Sequence, residues 1–244
     1  MPLMMVLRLK RCYHCLKQKY SRLKTINFTL ISEECMQNNT AISQLIEAGK
    51  WVSQKGWVPA TGGNFSARTS TGFVVTASGH DKGSLTQEHF LQLDHQGERL
   101  AGAVKPSAET QLHLSLYQLI PDAQCVLHTH SVAATVLSQI TQGHQLDLTG
   151  YEMQKALSGF TSHLETLSIP IFDNDQDIDR LSLLVSDHHL HTPIEHGVLI
   201  RGHGLYAVGR NIDEVRRHLE ALEFLFRCEL ERLKIIGIQA GVTK

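Results

Sequence analysis

The chain has 244 residues and a formal net charge of −1; 42% of its residues are apolar and 19% charged. This ordinary globular composition can bury one substantial core, and the near-neutral charge excludes the electrostatic footprint of a nucleic-acid binder or of a protein held to an anionic membrane. No apolar stretch reaches the roughly 20 residues that span a bilayer. The five cysteines lie far apart except Cys12 and Cys15, which argues against a disulfide framework and for a reducing, cytoplasmic setting.

Residues 1–36 stand apart from the rest. Met1–Arg11 is basic and apolar, but the run is short, broken by Arg8 and followed by no small-residue cleavage site, so it is a poor secretory signal. Cys12, His14 and Cys15 make at most half of a zinc knuckle. We expect a non-core N-terminal extension here, with Met36 as an alternative start, and one catalytic domain over 37–244.

From Asn39 onward the pattern is regular. Ile42, Leu45, Ile46 and Val52 keep helical spacing behind an Asn39 cap, and the helix ends near Gly56. Phe65–Ala67 and Phe73–Thr76 read as strands paired around Ser70-Thr71-Gly72. A short helix follows Thr86, and a longer one runs from Ser107 to Ile120, with Leu112, Leu116, Leu119 and Ile120 inward. A strand leads to His128, a helix capped by Ser131 follows, and Val198–Ile200 is a short buried strand. His188, His189, His191 and His196, beside Asp187 and Pro193, read as a solvated loop rather than a metal site. The last helix starts at an Asn211 cap completed by Glu214 as a capping box, and Ile212, Val215, Leu219, Leu222, Phe226, Leu230 and Leu233 form its stripe. Interspersed helices and strands with no composition break predict one α/β domain.

The most informative feature is His128-Thr129-His130 at the end of the apolar run Ala123–Leu127. Side chains at i and i+2 of a strand point the same way, so two imidazoles can converge on one cation at a strand-to-helix junction. Around it stand Thr61-Gly62-Gly63-Asn64, Thr76-Ala77-Ser78-Gly79, Lys105-Pro106-Ser107-Ala108-Glu109 and Gly202-His203-Gly204. Tight turns with glycines and hydroxyls suit a phosphate, and Ser107 would open a helix whose free N–H groups favour an anion. Each of these residues also has a plain reading as a turn former or helix cap.

In order and spacing these motifs resemble the class II aldolase/adducin family, over roughly residues 40 to 235. The resemblance implies a three-layer α/β/α sandwich with a central, mainly antiparallel sheet. It also implies His128, His130 and His203 as ligands of one zinc ion per subunit, with an open position for a substrate oxygen. Gly63, Asn64, Ser78, Gly79 and Ser107 match positions that bind the substrate phosphate, and Lys82 or Lys105 would add positive charge. Tyr151-Glu152-Met153-Gln154-Lys155 and Asp81-Lys82-Gly83 look most like a branch that removes water from a 2-ketose 1-phosphate bearing a methylthio group. Glu152 then matches the acid/base, its plain alternative being a first-turn glutamate stabilising a helix dipole. Glu109 occupies the acid/base position of the sugar-phosphate aldolases and ranks second; it could share the proton work, hold the metal or pair with His113. Cys125 reads as a small core residue. The family also implies a homotetramer with sites at subunit interfaces, and no nucleic-acid or membrane partner. An aldolase or epimerase acting on another ketose phosphate is the alternative; a scaffold like the adducin head is disfavoured because every candidate ligand is present.

Overall fold

The computed structural model describes residues 36–242, with side chains to residue 239. The chain divides into Met1–Thr40 and Ala41–Lys244. Of the first unit only residues 36–40 are described and they are helical, so Asn39 lies within helix instead of capping one. The half-knuckle of Cys12, His14 and Cys15 lies outside the described residues.

The second unit opens with α1 (residues 41–54), closed by Gly56 in the left-handed region at φ 74°. Nine strands follow: β1 (Asn64–Thr69), β2 (Gly72–Thr76), β3 (Phe90–Leu93), β4 (Arg99–Ala101), β5 (Cys125–Thr129), β6 (Gln145–Leu148), β7 (Leu167–Phe172), β8 (Gly197–Ile200) and β9 (Gly204–Gly209). They form one sheet in the order β4-β3-β2-β1-β5-β9-β8-β7-β6. Every pairing is antiparallel except β7 with β8. The helices α2 (Thr110–Leu119), α3 (Val132–Ile140), α4 (Ile178–His191) and α5 (Ile212–Val242) complete the fold.

Strand alternation sorts the core onto two faces. Cys125 and Leu127 of β5 and Leu205 and Ala207 of β9 pack with residues of α1, α3 and α5; Val126, Tyr206 and Val208 pack with α2 and α4. The expected three-layer, mainly antiparallel sandwich is therefore the architecture found. Phe65, Leu127, Leu205 and Leu222 are fully buried, each contributing about 2 kcal/mol of apolar transfer. Among the described residues no helix is long and apolar enough to cross a membrane.

Three local expectations need correction. α2 begins at Thr110 with Glu109 in the N-cap position, so Ser107 precedes the helix by a turn and its Oγ accepts the Glu109 N–H at 3.3 Å. The polar stretch holding His188, His189 and His191 is the last part of α4, not a loop. Asp177 caps that helix by accepting the Arg180 N–H at 3.1 Å, and Leu181 and Val185 bury its inner stripe. At α5 the Asn211 side-chain Oδ1 accepts the Glu214 N–H at 2.8 Å, the expected cap. The Glu214 carboxylate, however, receives the Arg210 N–H at 2.6 Å and the Arg210 guanidinium, and does not close the box onto Asn211.

Candidate metal centre and anion cradle

The face that β5 turns toward α2 carries Val126 and then His128, whose ring is fully buried and stacks on Tyr206 of β9 with centroids 3.8 Å apart. His128 Nδ1 lies 3.0 Å from the Leu205 carbonyl, which makes Nδ1 the protonated nitrogen and leaves the Nε2 lone pair for a ligand bond. Past Thr129 the chain leaves the sheet, and the His130 N–H donates to Trp57 O at 2.7 Å. Ser131 caps α3 by accepting the Ala134 N–H at 3.0 Å, so the backbone is fixed on both sides of the second imidazole.

His203 arrives from the tight turn between β8 and β9. Gly202 takes φ 66°, and a Cβ on Gly204 would stand 1.9 Å from Thr129 O, so only glycine lets this hairpin lie against β5. The turn is anchored from behind. Arg201 donates to Ser138 O (2.7 Å) and Thr141 O (3.1 Å) and pairs with Asp173 at 2.7 Å; Thr135 Oγ1 donates to His203 O at 3.0 Å. These anchors were invisible in the sequence, where only the Gly-His-Gly pattern marked the site.

The three Nε2 atoms converge, 2.7 Å between His128 and His130, 3.0 Å between His130 and His203, and 3.3 Å between His128 and His203. Nitrogen ligands held about 2.0–2.1 Å from a tetrahedral ion lie about 3.3 Å apart, so the set matches a closely held divalent cation. Glu109 joins them, with Oε1 3.1 Å from His203 Nε2 and Oε2 3.6 Å from His128 Nε2. All four side chains offer ligand atoms within 4.8 Å of one another, and among the described residues no other group of three or more His, Cys, Asp or Glu converges this way.

Burial depresses His128 far below the ordinary imidazole range and holds His130 at about 4, so both rings are neutral near pH 7, the form that binds metal. Burial works the other way on Glu109. The hydrogen bond from His203, with the imidazoles around it and the Asn64 amide, outweighs it and keeps the carboxylate ionised. Asn64 sits opposite His128 in the β1–β5 register, which brings its amide nitrogen to Glu109 Oε2 and, at 3.3 Å, to Ser107 Oγ. Glu109 does not pair with His113. That ring turns inward to Ser66 Oγ at 2.7 Å, and Ser66 Oγ lies 2.8 Å from Tyr117 OH.

Of the expected phosphate positions, Asn64 and Ser107 touch Glu109 of this centre and Gly63 lies against the His128 backbone. Gly63 takes φ 75°, and a Cβ there would stand 2.6 Å from His128 O, so the turn lies directly on the ligand strand. A bridge between Ala77 and Pro106 sets Ser78 beside the 105–107 segment, and the Ser78 N–H donates to Lys105 O at 3.1 Å. Gly79 is exposed at φ 80° with open space where a Cβ would be. Lys105 is exposed, whereas Lys82 is 1% exposed. Glu152 lies elsewhere: it opens a 3-10 helix, is solvent-exposed, and pairs with Lys155 at 2.8 Å and His163 at 3.6 Å. Cys125 is buried in the core, where its thiol is pushed up to about 12 by desolvation and Asp213.

The fold, with three histidines and a glutamate that could hold a metal, defines a class II aldolase-type domain, and residues 43–230 match the family described as "Class II Aldolase and Adducin N-terminal domain". The chain belongs to that family. It is 88% identical over 204 residues to the methylthioribulose-1-phosphate dehydratase of Pseudoalteromonas translucida, covering 84% of this chain and 97% of that protein. The enzyme of the same name from Serratia proteamaculans is 52% identical over 198 residues, covering 81% and 97%. The crystal structure of L-fuculose-1-phosphate aldolase from Thermus thermophilus superposes with a TM-score of 0.65 at 25% identity, covering 81% of this chain and 96% of that one.

Proposed function

We propose that this chain is a cytoplasmic hydro-lyase of methionine salvage that dehydrates 5-methylthioribulose 1-phosphate to 5-methylthio-2,3-dioxopentyl phosphate. The observation that carries the reading is the convergence of His128, His130 and His203 with an ionised Glu109 at the mouth of the turns bearing Gly63, Asn64, Ser78, Gly79 and Ser107. The relatives that share most of its length bear the name methylthioribulose-1-phosphate dehydratase. The donor set of three imidazoles suits zinc, one per subunit.

A bound zinc ion supplies Lewis-acid stabilisation of the negative charge that grows beside the substrate carbonyl. The residues do the rest. The turns at 63–64, 78–79 and 107 hold the phosphate by N–H and hydroxyl donors. Glu152 takes the proton from carbon 3 and delivers it to the hydroxyl leaving carbon 4 as water; the resulting enol rearranges to the diketone. In its own chain Glu152 faces Lys155 and His163, away from the imidazoles. The proposed enzyme is a homotetramer in which Glu152 reaches a neighbouring subunit's site.

The second reading is retro-aldol cleavage of another ketose phosphate with Glu109 as acid/base, favoured by the place of that carboxylate 3.1 Å from His203. Incubation of the zinc-loaded protein with 5-methylthioribulose 1-phosphate decides between them. Loss of one water by mass, with the carbon skeleton intact, is the expected result; two carbonyl fragments would move the assignment to the aldolase.

A further inference from the structure

Lys82 is the charged side chain that the proposed chemistry leaves unused. It follows the Asp81 cap of a 3-10 turn, and its backbone is pressed against α1: a Cβ on Gly49 would meet Lys82 O at 2.4 Å, and one on Gly83 would meet Ser53 Oγ at 2.6 Å. From this fixed base the side chain runs inward. Its ammonium donates to Thr61 O at 2.8 Å and to His80 O at 2.6 Å. No carboxylate of the described residues lies within ion-pairing distance of it, although Asp81 and Glu109 are near enough to stabilise its charge against the larger effect of burial.

Both acceptors sit on turns that carry the expected phosphate positions. Thr61 is a β-branched residue at φ 65°, preceded by Ala60 at φ 51°, and it leads directly into Gly62-Gly63-Asn64. Such residues are strained in the left-handed region and persist where something holds them. His80 follows Ser78-Gly79. One ammonium therefore ties the turn bearing Gly63 and Asn64 to the turn bearing Ser78 and Gly79. A buried ammonium satisfied only by carbonyl dipoles is costly unless a negative charge completes it.

We propose that Lys82 is the positioning residue of the anion cradle, a buried strut that sets the 61–64 and 78–80 turns at one spacing and lends them the positive charge that a phosphate monoester dianion neutralises. The inference rests on the phosphate reading of these turns, and it assigns the charge to buried Lys82 and not to exposed Lys105.

The test is the affinity of the zinc-loaded protein for inorganic phosphate, read by thermal shift and titration calorimetry, with metal content measured on every variant. Lys82→Gln keeps an N–H donor for a carbonyl and removes the charge; it is expected to weaken phosphate binding at least about tenfold and to raise KM more than it lowers kcat, at unchanged zinc content. Lys82→Arg and Lys105→Gln are expected to stay within about threefold of the parent. Unchanged phosphate affinity in a folded Lys82→Gln protein overturns the proposal, as does transfer of the loss to Lys105→Gln. If Lys82→Gln does not fold, Lys82→Arg carries the test, and a tenfold loss there overturns it. A parent protein that binds no phosphate removes the cradle itself, which is a different failure from a cradle indifferent to Lys82.

Discussion

Asn64 and Glu109 are joined side chain to side chain: the Asn64 amide nitrogen donates to Glu109 Oε2 while the other carboxylate oxygen faces His203. Asn64 is placed by β1, opposite His128, and Glu109 by the cap of α2, so the bond ties the sheet to the helix across the proposed metal. A hydrogen bond to a charged group contributes about 1.5–3 kcal/mol, so Asn64→Ala is expected to lower kcat about 10- to 100-fold. Zinc content should stay at the parent value, because the three imidazoles are untouched. Parent-like steady-state kinetics would show that the Asn64–Glu109 bond contributes nothing to turnover.

Replacing any one of His128, His130 or His203 by Ala removes one of the three imidazole donors, and is expected to lower the zinc content after dialysis, with Glu109 left to complete the weakened set. Dialysis of the parent protein against a chelator should abolish turnover, and zinc should restore it. Elemental analysis of the three variants checks the assignment directly; a variant that retains one zinc per subunit would remove its histidine from the ligand set.

Gly204→Ala places a methyl 1.9 Å from Thr129 O, in backbone that cannot move aside without dragging His203. The expected loss is about 3 kcal/mol of stability, accompanied by weaker zinc binding. Denaturant melts of the metal-free protein separate the packing effect from the loss of ligation.

His113 gives a pH dependence of known sign. Burial holds its ring at about 4 against an ordinary value of 6.5. Between those values the unfolded chain binds the extra proton and the folded one does not, so stability rises with pH across this window and is complete above it. The full effect is about 3 kcal/mol, lost progressively as the pH falls from 6.5 toward 4. Urea melts of metal-free parent and His113→Gln proteins should diverge in shape across that window; parallel curves would show that the ring is not buried neutral.

If Glu152 serves a neighbouring subunit, Glu152→Gln and His128→Ala proteins, each inactive alone, should recover part of the parent activity when unfolded together and refolded as a mixture. Hybrid assemblies contain some sites with an intact ligand set from one chain and an intact Glu152 from the other. No recovery in mixed assemblies verified by native mass spectrometry would confine Glu152 to its own chain's site or remove it from catalysis.

The convergence of the candidate ligands was legible because its geometry is local: period-2 side chains deliver His128 and His130 together, and flanking glycines announce His203. The layers were legible for a similar reason, since the stripe of α5 and the alternation of β1 and β2 need no distant partner. What failed was decided by competition between near-equivalent local signals. Ser107 reads as a cap whether it starts the helix or, as found, supports Glu109 one turn earlier. The exposed polar end of α4 resembles a loop unless Asp177 is recognised as its start. The anchoring by Arg201 was beyond reach because its partners are carbonyls set far away by the tertiary fold, and Lys82 could be named beside Lys105 but not told apart from it, because burial is decided by the packing of its turn on α1.

The central claim is dehydration with the carbon skeleton intact, and a single-turnover reaction followed by mass tests it most directly. Zinc-loaded protein with 5-methylthioribulose 1-phosphate should yield the diketone phosphate at a rate that collapses in Glu152→Gln while that variant keeps its zinc. Turnover unaffected by Glu152→Gln but abolished by Glu109→Gln, or cleavage of the sugar between carbons 3 and 4, would contradict the account.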